Sequence, residues 1–216
     1  MADRRKKATT FRTKRMLVAA TPLPNITVIG YYMPERKQLV LSSEQFCAQE
    51  MLETLRSCAA SLVEDGGPIL RDHLEKHVIS LFGLSKRGRF IAAQLETVFS
   101  VFPAVTTEQQ GNDGKTQIVY WPSTYAQTQT SAGKDFGYLY CRCSAEDAPD
   151  KRYTYDLPLI EVANAMAASV KEGEAVGRDE LFTRAARLMG YTRIGASLRP
   201  VLERSLILAR ELGYFL

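Results

Sequence analysis

The chain has 216 residues, 45% of them hydrophobic, which suits one large domain or two small ones with packed cores. It lacks the run of about 18 apolar residues that spans a membrane, and its basic N-terminus lacks the apolar stretch of a secretory signal. Four cysteines are too few for the disulfide framework of a small secreted domain, so we expect a reducing, cytoplasmic setting.

The net charge of +4 is unevenly distributed along the chain. Residues 1–15 carry seven basic side chains against Asp3 alone, which leaves a slightly acidic remainder. The seven are Arg4, Arg5, Lys6, Lys7, Arg12, Lys14 and Arg15. Because residues 1–15 are polar and show no hydrophobic period, we interpret them as a disordered basic arm. Such an arm would bind phosphate without reading sequence.

Residues 16–43 are predicted to form an N-terminal β-hairpin. The runs 26–32 and 38–41 are rich in β-branched and aromatic residues and flank a turn-like segment that contains Pro34. Ser42 or Ser43 can then cap a helix.

Two stretches of the chain match each other at a fixed offset of 107 residues. Residues 69–99 and 176–206 share eight identities over 31 positions, where unrelated segments would share about two. The identical pairs are Arg71/Arg178, Asp72/Asp179, Leu74/Leu181, Leu81/Leu188, Gly83/Gly190, Gly88/Gly195, Leu95/Leu202 and Glu96/Glu203. We therefore interpret the chain as one helical unit used twice.

The first copy, residues 44–122, predicts a winged-helix module. A first helix ends at Gly66, Asp72 is expected to cap a second helix, and a turn at Gly83 leads to a third. The apolar positions expected on the third helix are Phe90, Ile91, Leu95, Val98 and Phe99. Two strand-like runs around Gly111–Gly114 then predict a hairpin. This order of elements is that of a helix-turn-helix with a wing.

The second copy, residues 156–216, predicts a similar module with a truncated wing, and residues 123–155 predict a linker that is partly packed. Asp179 is expected to cap its second helix, and Pro200 is tolerable in the first turn of its third helix. The predicted fold class is therefore α+β: tandem winged-helix modules with an N-terminal β-hairpin and a disordered basic arm.

The motifs of both copies resemble a known but uncharacterised domain. They are Pro68-Ile69-x-x-Asp72-x-Leu74, Phe82-Gly83-Leu84-Ser85-Lys86-Arg87-Gly88-Arg89-x-Ile91 and Tyr120-Trp121-Pro122 in the first copy, and Leu157-Pro158-Leu159-Ile160-Glu161-Val162-Ala163, Arg178-Asp179-Glu180-Leu181 and Gly190-Tyr191-Thr192-Arg193-x-Gly195 in the second. The domain lies near the C-terminus of large bacterial proteins that join a superfamily-1 helicase to a very-short-patch-repair-like nuclease. The resemblance implies a setting in DNA repair or defence and supplies no catalytic residue, because no phosphate loop or nuclease motif accompanies it.

The candidate nucleic-acid contacts outside the arm lie at the start of the third helices and in the wing. Lys86, Arg87 and Arg89 stand where a recognition helix begins, and cations placed against a helix dipole suggest a compensating anion. The alternative is a solvated basic helix start. The remaining candidates are Lys115, Arg193 and Arg199. With fewer cations, the second copy is expected to serve packing or protein contacts.

Other polar residues have simpler explanations than chemistry. His73 and His77 share a helix face and could join Cys141 and Cys143 in a zinc site. However, Cys-x-Cys is not the usual spacing, so we expect a solvated face instead. Trp121 is expected in the core. Glu96 and Glu203 could pair with basic side chains across the repeat. We therefore predict no catalytic residue, no metal and no cofactor.

The function expected from these observations is non-enzymatic nucleic-acid binding, most simply to duplex DNA in a bacterial repair, defence or regulatory setting. The alternative is a protein-interaction adaptor, an accessory subunit of a helicase, nuclease or other defence enzyme. The sequence leaves the oligomeric state open.

Overall fold

The computed structural model describes residues 17–31, 39–126, 137–144 and 152–216. Its helices are α1 (Ser43–Phe46), α2 (Leu52–Gly66), α3 (Arg71–Leu81), α4 (Arg89–Ser100), α5 (Ser123–Ala126), α6 (Leu159–Ala168), α7 (Arg178–Leu188) and α8 (Leu198–Glu211). Its strands are β1 (Leu17–Ala19), β2 (Thr27–Gly30), β3 (Ile69–Leu70), β4 (Val105–Gln110), β5 (Thr116–Trp121), β6 (Tyr140–Cys143) and β7 (Ala175–Gly177). The predicted α+β class is confirmed. Within the described ranges, every helix is too short or too polar to cross a bilayer.

The 107-residue offset in the sequence also relates the positions of the helices. α2 begins at Leu52 and α6 at Leu159, while α3 and α7 differ by the same offset at both ends. The turn after each of the latter two holds a glycine in the left-handed region, Gly83 at φ +72° and Gly190 at φ +90°. Glycine adopts such angles without steric cost. The duplication therefore extends from sequence to local structure.

The sheet of the first repeat has the strand order β3-β5-β4, and both pairings are antiparallel. β3 precedes α3, and its residue Ile69 lies opposite Tyr120 of β5. β4 and β5 form the predicted hairpin, with Gln110 opposite Thr116 at its closed end. This hairpin follows α4 in the sequence, so the sheet joins a strand that precedes α3 to two strands that follow α4.

The sheet of the second repeat is completed by the N-terminal part of the chain. β1 pairs antiparallel with β7, so that Val18 lies opposite Val176, and Ala20 bridges to Phe215. β1 therefore pairs with β7 as β5 pairs with β3, although it lies far from β7 in sequence. The Leu216 N–H donates to the Ala19 carbonyl at 2.9 Å, which adds the start of a third strand.

The predicted N-terminal hairpin of residues 16–43 is therefore wrong. β2 pairs in parallel with β6, and Val28 lies opposite Cys141. Described residues 39–41 form no strand. The N–H groups of Leu39 and Leu41 instead donate to the carbonyls of the last residue of α3 and of the residue after it, at 3.0 and 3.1 Å. Two runs with strand propensity thus find different partners, which local propensity alone does not determine.

Three apolar clusters form the core. One fills each repeat, and a third joins the repeats through Leu70, Val119 and Trp121 on one side and Ile160 on the other. Trp121 is buried as expected, and its Nε1 donates to Thr107 Oγ1 at 2.8 Å. The joining cluster packs the two repeats against each other.

Where it is described, the predicted linker of residues 123–155 contributes several buried residues to the folded core. Tyr138 belongs to the cluster that joins the repeats, while Cys141, Arg142 and Arg152 are also buried. Polar residues in this segment gave it the composition of a linker, but their burial depends on partners elsewhere in the chain.

The starts of the helices partly differ from expectation. Ser42 caps α1 as predicted and forms a reciprocal pair of hydrogen bonds with Gln45. The predicted caps Asp72 and Asp179 are wrong, since the N-cap positions are Leu70 and Gly177, without side-chain caps. Both aspartates instead lie in the first helical turn. There a carboxylate stabilises the helix through its interaction with the helix dipole. Pro200 lies in the first turn of α8, which tolerates it.

Candidate nucleic-acid interface

The start of α4 is a cationic edge that faces solvent. Residues 84–88 lead from the Gly83 turn without regular structure, and Gly88 is the N-cap residue, with no side-chain cap. Lys86 and Arg89 are exposed there, and neither forms an ion pair with a described residue. Two cations without a described ion-pair partner thus stand beside the positive end of a helix, where an anion would be attracted.

Phe90 adds an exposed aromatic ring to this edge. Its exposed fraction is 75%, whereas Ile91, Leu95 and Val98 of the same helix are buried. Phe90, one of the apolar positions expected on this helix, therefore lies outside its buried face. The helical period could have shown this, because Ile91, Leu95 and Val98 define one face and Phe90 lies one position outside it.

Arg87 is held differently from its two cationic neighbours. Its Nη2 lies 2.8 Å from Oε2 of Glu75, and its Nη1 lies 3.9 Å from Oδ1 of Asp72. The Glu75 side chain is only 2% exposed and also accepts a hydrogen bond from Arg71 Nε at 2.9 Å. Arg71 in turn pairs with Glu96, so Glu96 meets a basic side chain across its repeat, as the sequence suggested. A buried carboxylate thus anchors Arg87, which remains 43% exposed.

Of the two predicted nucleic-acid contacts in the second repeat, one forms an ion pair with a neighbouring carboxylate. Arg193 is exposed and forms no ion pair with a described residue. Arg199 is tied to Asp179, with 3.1 Å between Nη1 and Oδ1. Sequence matching also overlooked Arg187, an exposed cation at the end of α7, because the residue at its position in the first repeat is Ser80.

The hairpin of the first repeat is engaged with the second repeat. At its tip, Asn112 donates to the Ser197 carbonyl at 3.1 Å and accepts from Arg204 at 2.5 Å. Lys115 is exposed, and its Nζ lies 3.4 Å from a carboxylate oxygen of Asp113. The tip predicted to reach nucleic acid therefore makes an internal contact. The seven predicted contacts of the basic arm lie outside the described residues.

A partly buried polar cluster stands where a solvated helix face was expected, so that expectation is wrong. His73 Nε2 lies 3.0 Å from both Tyr31 Oη and His77 Nε2, while His73 Nδ1 lies 3.3 Å from Asp156 Oδ2. Lys76 Nζ also lies 3.4 Å from the Asp156 carboxylate. A neutral ring nitrogen has one lone pair, so His73 Nε2 can accept from only one neighbour at a time. Among the described residues, no group of three or more His, Cys, Asp or Glu side chains lies close enough together to hold a metal ion.

The protonation states in this cluster follow from its burial. Burial, with the neighbouring His73 ring, lowers the pKa of His77 to about 4. Burial raises the pKa of Tyr31 to about 12. Burial also acts to raise the pKa of Asp156, but the hydrogen bond and charge of His73, with Lys76, outweigh this and lower it. At neutral pH the cluster therefore contains a neutral His77, a phenol and a carboxylate.

A second buried ionic group joins α6 to the segment around β6. Glu161 is fully buried and is held by Arg142 and Arg152, at 3.0 Å from Arg142 Nε and 2.8 Å from Arg152 Nη1. Arg142 also donates to the Pro68 carbonyl at 2.6 Å, and the Tyr31 ring lies against both guanidinium groups. Burial acts to raise the pKa of Glu161, but the two guanidinium groups outweigh it and keep the pKa lowered. The group links the two repeats, because Arg142 joins Glu161 of α6 to the Pro68 carbonyl of the first repeat.

An apolar groove of about 300 Å³ lies between the hairpin and α8. Val119 and Trp121 line the hairpin side, while Ile207 and Leu208 line the helix side. Ile207 is 59% exposed. β4 borders this groove, and among the described residues it is the last strand of its sheet.

No protein-family model matches the chain, and no curated protein or solved structure gives a significant match. The resemblance of the two copies to the domain of helicase–nuclease proteins therefore stays a prediction. The cationic edge at the start of α4, the anchored Arg87 and the apolar groove are the features from which a function can be proposed.

Proposed function

We propose that this chain is a non-enzymatic nucleic-acid-binding protein built from two winged-helix-like units, and that its ligand is duplex DNA. The observation that carries the proposal is the start of α4, where Lys86, Arg89 and Phe90 are all exposed. Unpaired cations bind phosphate, and an exposed aromatic ring can contact a thymine methyl group or stack on a base. Both kinds of contact are available within one helical turn.

The arrangement of elements supports the same proposal. Each repeat has a helix, a short strand, a second helix, a glycine turn and a third helix, and the first repeat adds the hairpin. In helix-turn-helix proteins the start of the third helix enters the major groove. The engaged tip at Asn112 leaves α4, rather than the hairpin, as the reading element.

Arg87 has a supporting role in this proposal. Its guanidinium group is held by Glu75, so it is positioned before any ligand arrives. A pre-positioned side chain loses little conformational entropy on binding. The exposed part of Arg87 would add charge to the edge that Lys86 and Arg89 form.

A salt titration tests the proposal directly. Binding of a fluorescently labelled duplex is measured by anisotropy between about 50 and 200 mM salt, a range in which phosphate contacts weaken steeply. We expect the double substitution Lys86→Gln with Arg89→Gln to reduce the slope of log affinity against log salt by about 0.9 for each lost phosphate contact. Phe90→Ala should weaken binding without changing that slope, since the ring carries no charge.

A charge-matched control makes the result specific. Lys171 and Arg210 are exposed cations outside the α4 edge, and their double substitution to Gln changes the net charge equally. This control should leave the slope within error of the unsubstituted chain. If the control variant and the α4 variant behave alike, or if the unsubstituted chain binds no duplex, the proposal is wrong. Deleting residues 2–15 should flatten the slope further, since seven cations are removed.

The second candidate function is a protein-interaction adaptor, which the apolar groove at β4 favours. A free strand edge beside an apolar groove is the geometry that extended peptides use when they add a strand to a sheet. The partner would then be another protein, such as a helicase, a nuclease or another defence enzyme. Ile207→Asp places a charge at the exposed wall of the groove and should abolish such an interaction while duplex binding persists.

A further inference from the structure

The turn between α7 and α8 borders a cavity of about 250 Å³ that is lined by three arginines. Arg187 comes from the last turn of α7, Arg193 from the turn itself and Arg199 from the first turn of α8. They belong to three successive elements, and the reversal of the chain at Gly190 brings them to one opening.

Positive charge exceeds negative charge at this cavity. Arg187 and Arg193 are exposed and form no ion pair with any residue in the described ranges. Arg199 is paired with Asp179, which is the one carboxylate among the described residues that line the cavity. Two guanidinium groups therefore have no counterion among the described residues. The hydroxyl of Thr192, which is exposed at the same opening, offers a further donor.

The frame of the cavity is fixed by contacts behind it. The Tyr191 hydroxyl donates to the carbonyl of buried Arg152 at 2.9 Å, and the Tyr191 N–H donates to the Ala186 carbonyl at 2.9 Å. Gly190 packs so closely on the Ser144 carbonyl that no side chain would fit. The turn that carries Arg193 is therefore rigidly supported from beneath, which favours a preformed binding site.

The first repeat has a different arrangement at the same positions. Offset by 107 residues, the three arginines correspond to Ser80, Lys86 and Ala92. Arg87, which is anchored by Glu75 in the first repeat, corresponds to Ile194, which packs against the core. The second repeat therefore presents its charge around a cavity rather than along the start of a helix.

We propose that this arginine-lined cavity binds a backbone phosphate of nucleic acid, so that the second repeat makes a phosphate contact separate from the α4 edge. The proposal rests on the proposed function. Guanidinium groups present paired N–H donors that match phosphate oxygens, and arginine is favoured wherever such bidentate recognition matters. Arg187 and Arg193 would supply this charge-assisted binding, while Arg199, already neutralised by Asp179, shapes the wall.

The test compares two double variants with the same labelled duplex as probe. Arg187→Gln with Arg193→Gln should reduce the slope of log affinity against log salt by about 0.9 for each lost contact. Between about 50 and 200 mM salt, the unsubstituted chain should then lose about tenfold more affinity than this variant if both contacts are real. Both side chains are exposed, so the thermal unfolding midpoint should not change, which confirms that the variant is folded.

The outcomes separate this inference from the proposed function. If the α4 variant loses slope while the Arg187/Arg193 variant does not, the cavity does not bind phosphate and the proposed function stands. If the unsubstituted chain binds no duplex, both fall. If Arg187→Gln with Arg193→Gln behaves like the charge-matched control at Lys171 and Arg210, the effect is general electrostatics and the site is refuted. Arg187→Lys with Arg193→Lys should keep the slope but weaken binding, since lysine lacks the planar fork.

Discussion

Arg87 and Glu75 form an ion pair in the first repeat, 2.8 Å between Nη2 and Oε2, and their positions in the second repeat are occupied by Ile194 and Phe182. Phe182 is buried and Ile194 packs against the same core cluster. One repeat thus uses an ionic contact where the other uses an apolar one. Such an exchange is physically reasonable, because apolar residues of similar volume can replace a buried ion pair with little change in stability.

The Glu75–Arg87 pair should therefore show strong coupling. Arg87→Ile alone removes one of the partners of a buried carboxylate and should cost about 1–3 kcal/mol. The double variant Glu75→Leu with Arg87→Ile should be less destabilised than either single variant predicts, because Arg71, which loses Glu75, keeps its ion pair with Glu96. Urea unfolding of the two single variants and the double variant measures the coupling as a double-mutant cycle. Additive effects of the two substitutions would show that the pair does not contribute as a unit.

The Glu161 group should be far more sensitive than any surface carboxylate. Glu161→Gln keeps the shape of the side chain but leaves Arg142 and Arg152 buried without a counterion. Breaking a buried ionic group in this way costs about 3–5 kcal/mol. Glu172, which is exposed, provides the matched control, and Glu172→Gln should change stability by no more than about 0.5 kcal/mol. Equal midpoints of urea unfolding for the two variants would contradict the role assigned to Glu161.

Stability should fall as the pH is lowered below the ordinary pKa of histidine because of His77. In the unfolded chain this ring takes up a proton near pH 6.5, whereas in the folded chain its pKa is lowered to about 4. Between these values the unfolded state binds more protons, so stability decreases with falling pH by at most about 1.4 kcal/mol per pH unit. His77→Gln should remove this component. An unchanged difference in stability between pH 7 and pH 4 would refute it.

Local patterns in the sequence predicted the helices and turns well, because helical period and glycine turns depend on neighbouring residues. The repeat could be recognised for the same reason, and it led to the correct turn at Gly83. Pairing between distant strands was not predictable in this way. Val18 pairs with Val176 across most of the chain, and nothing in the composition of β1 specifies that partner.

The sequence predicted those residues of the candidate site whose exposure follows from their place at a helix start or in a turn. Lys86, Arg89 and Arg193 face solvent, as a helix start or turn would suggest. Arg87 was assigned the same role, but the buried Glu75 on the preceding helix anchors it, and only the packing of two helices reveals this. Arg187 was overlooked because the comparison of the two repeats considered only corresponding positions, and the residue that corresponds to Arg187 is Ser80. Only one of the arginines that line the cavity has a basic residue at the corresponding position of the first repeat.

The two turn glycines should differ in their tolerance of alanine, and the repeat provides the matched control. At Gly190 a Cβ would overlap the Ser144 carbonyl, and φ is +90°. At Gly83 the nearest atom would be a Val40 side-chain carbon at 3.3 Å, with φ +72°. Left-handed backbone costs an alanine about 1–2 kcal/mol at either position, so Gly83→Ala should lose about that amount in urea unfolding. Gly190→Ala should lose more, because backbone atoms cannot move aside as a side chain can. Equal losses would mean that Ser144 does not restrain the turn.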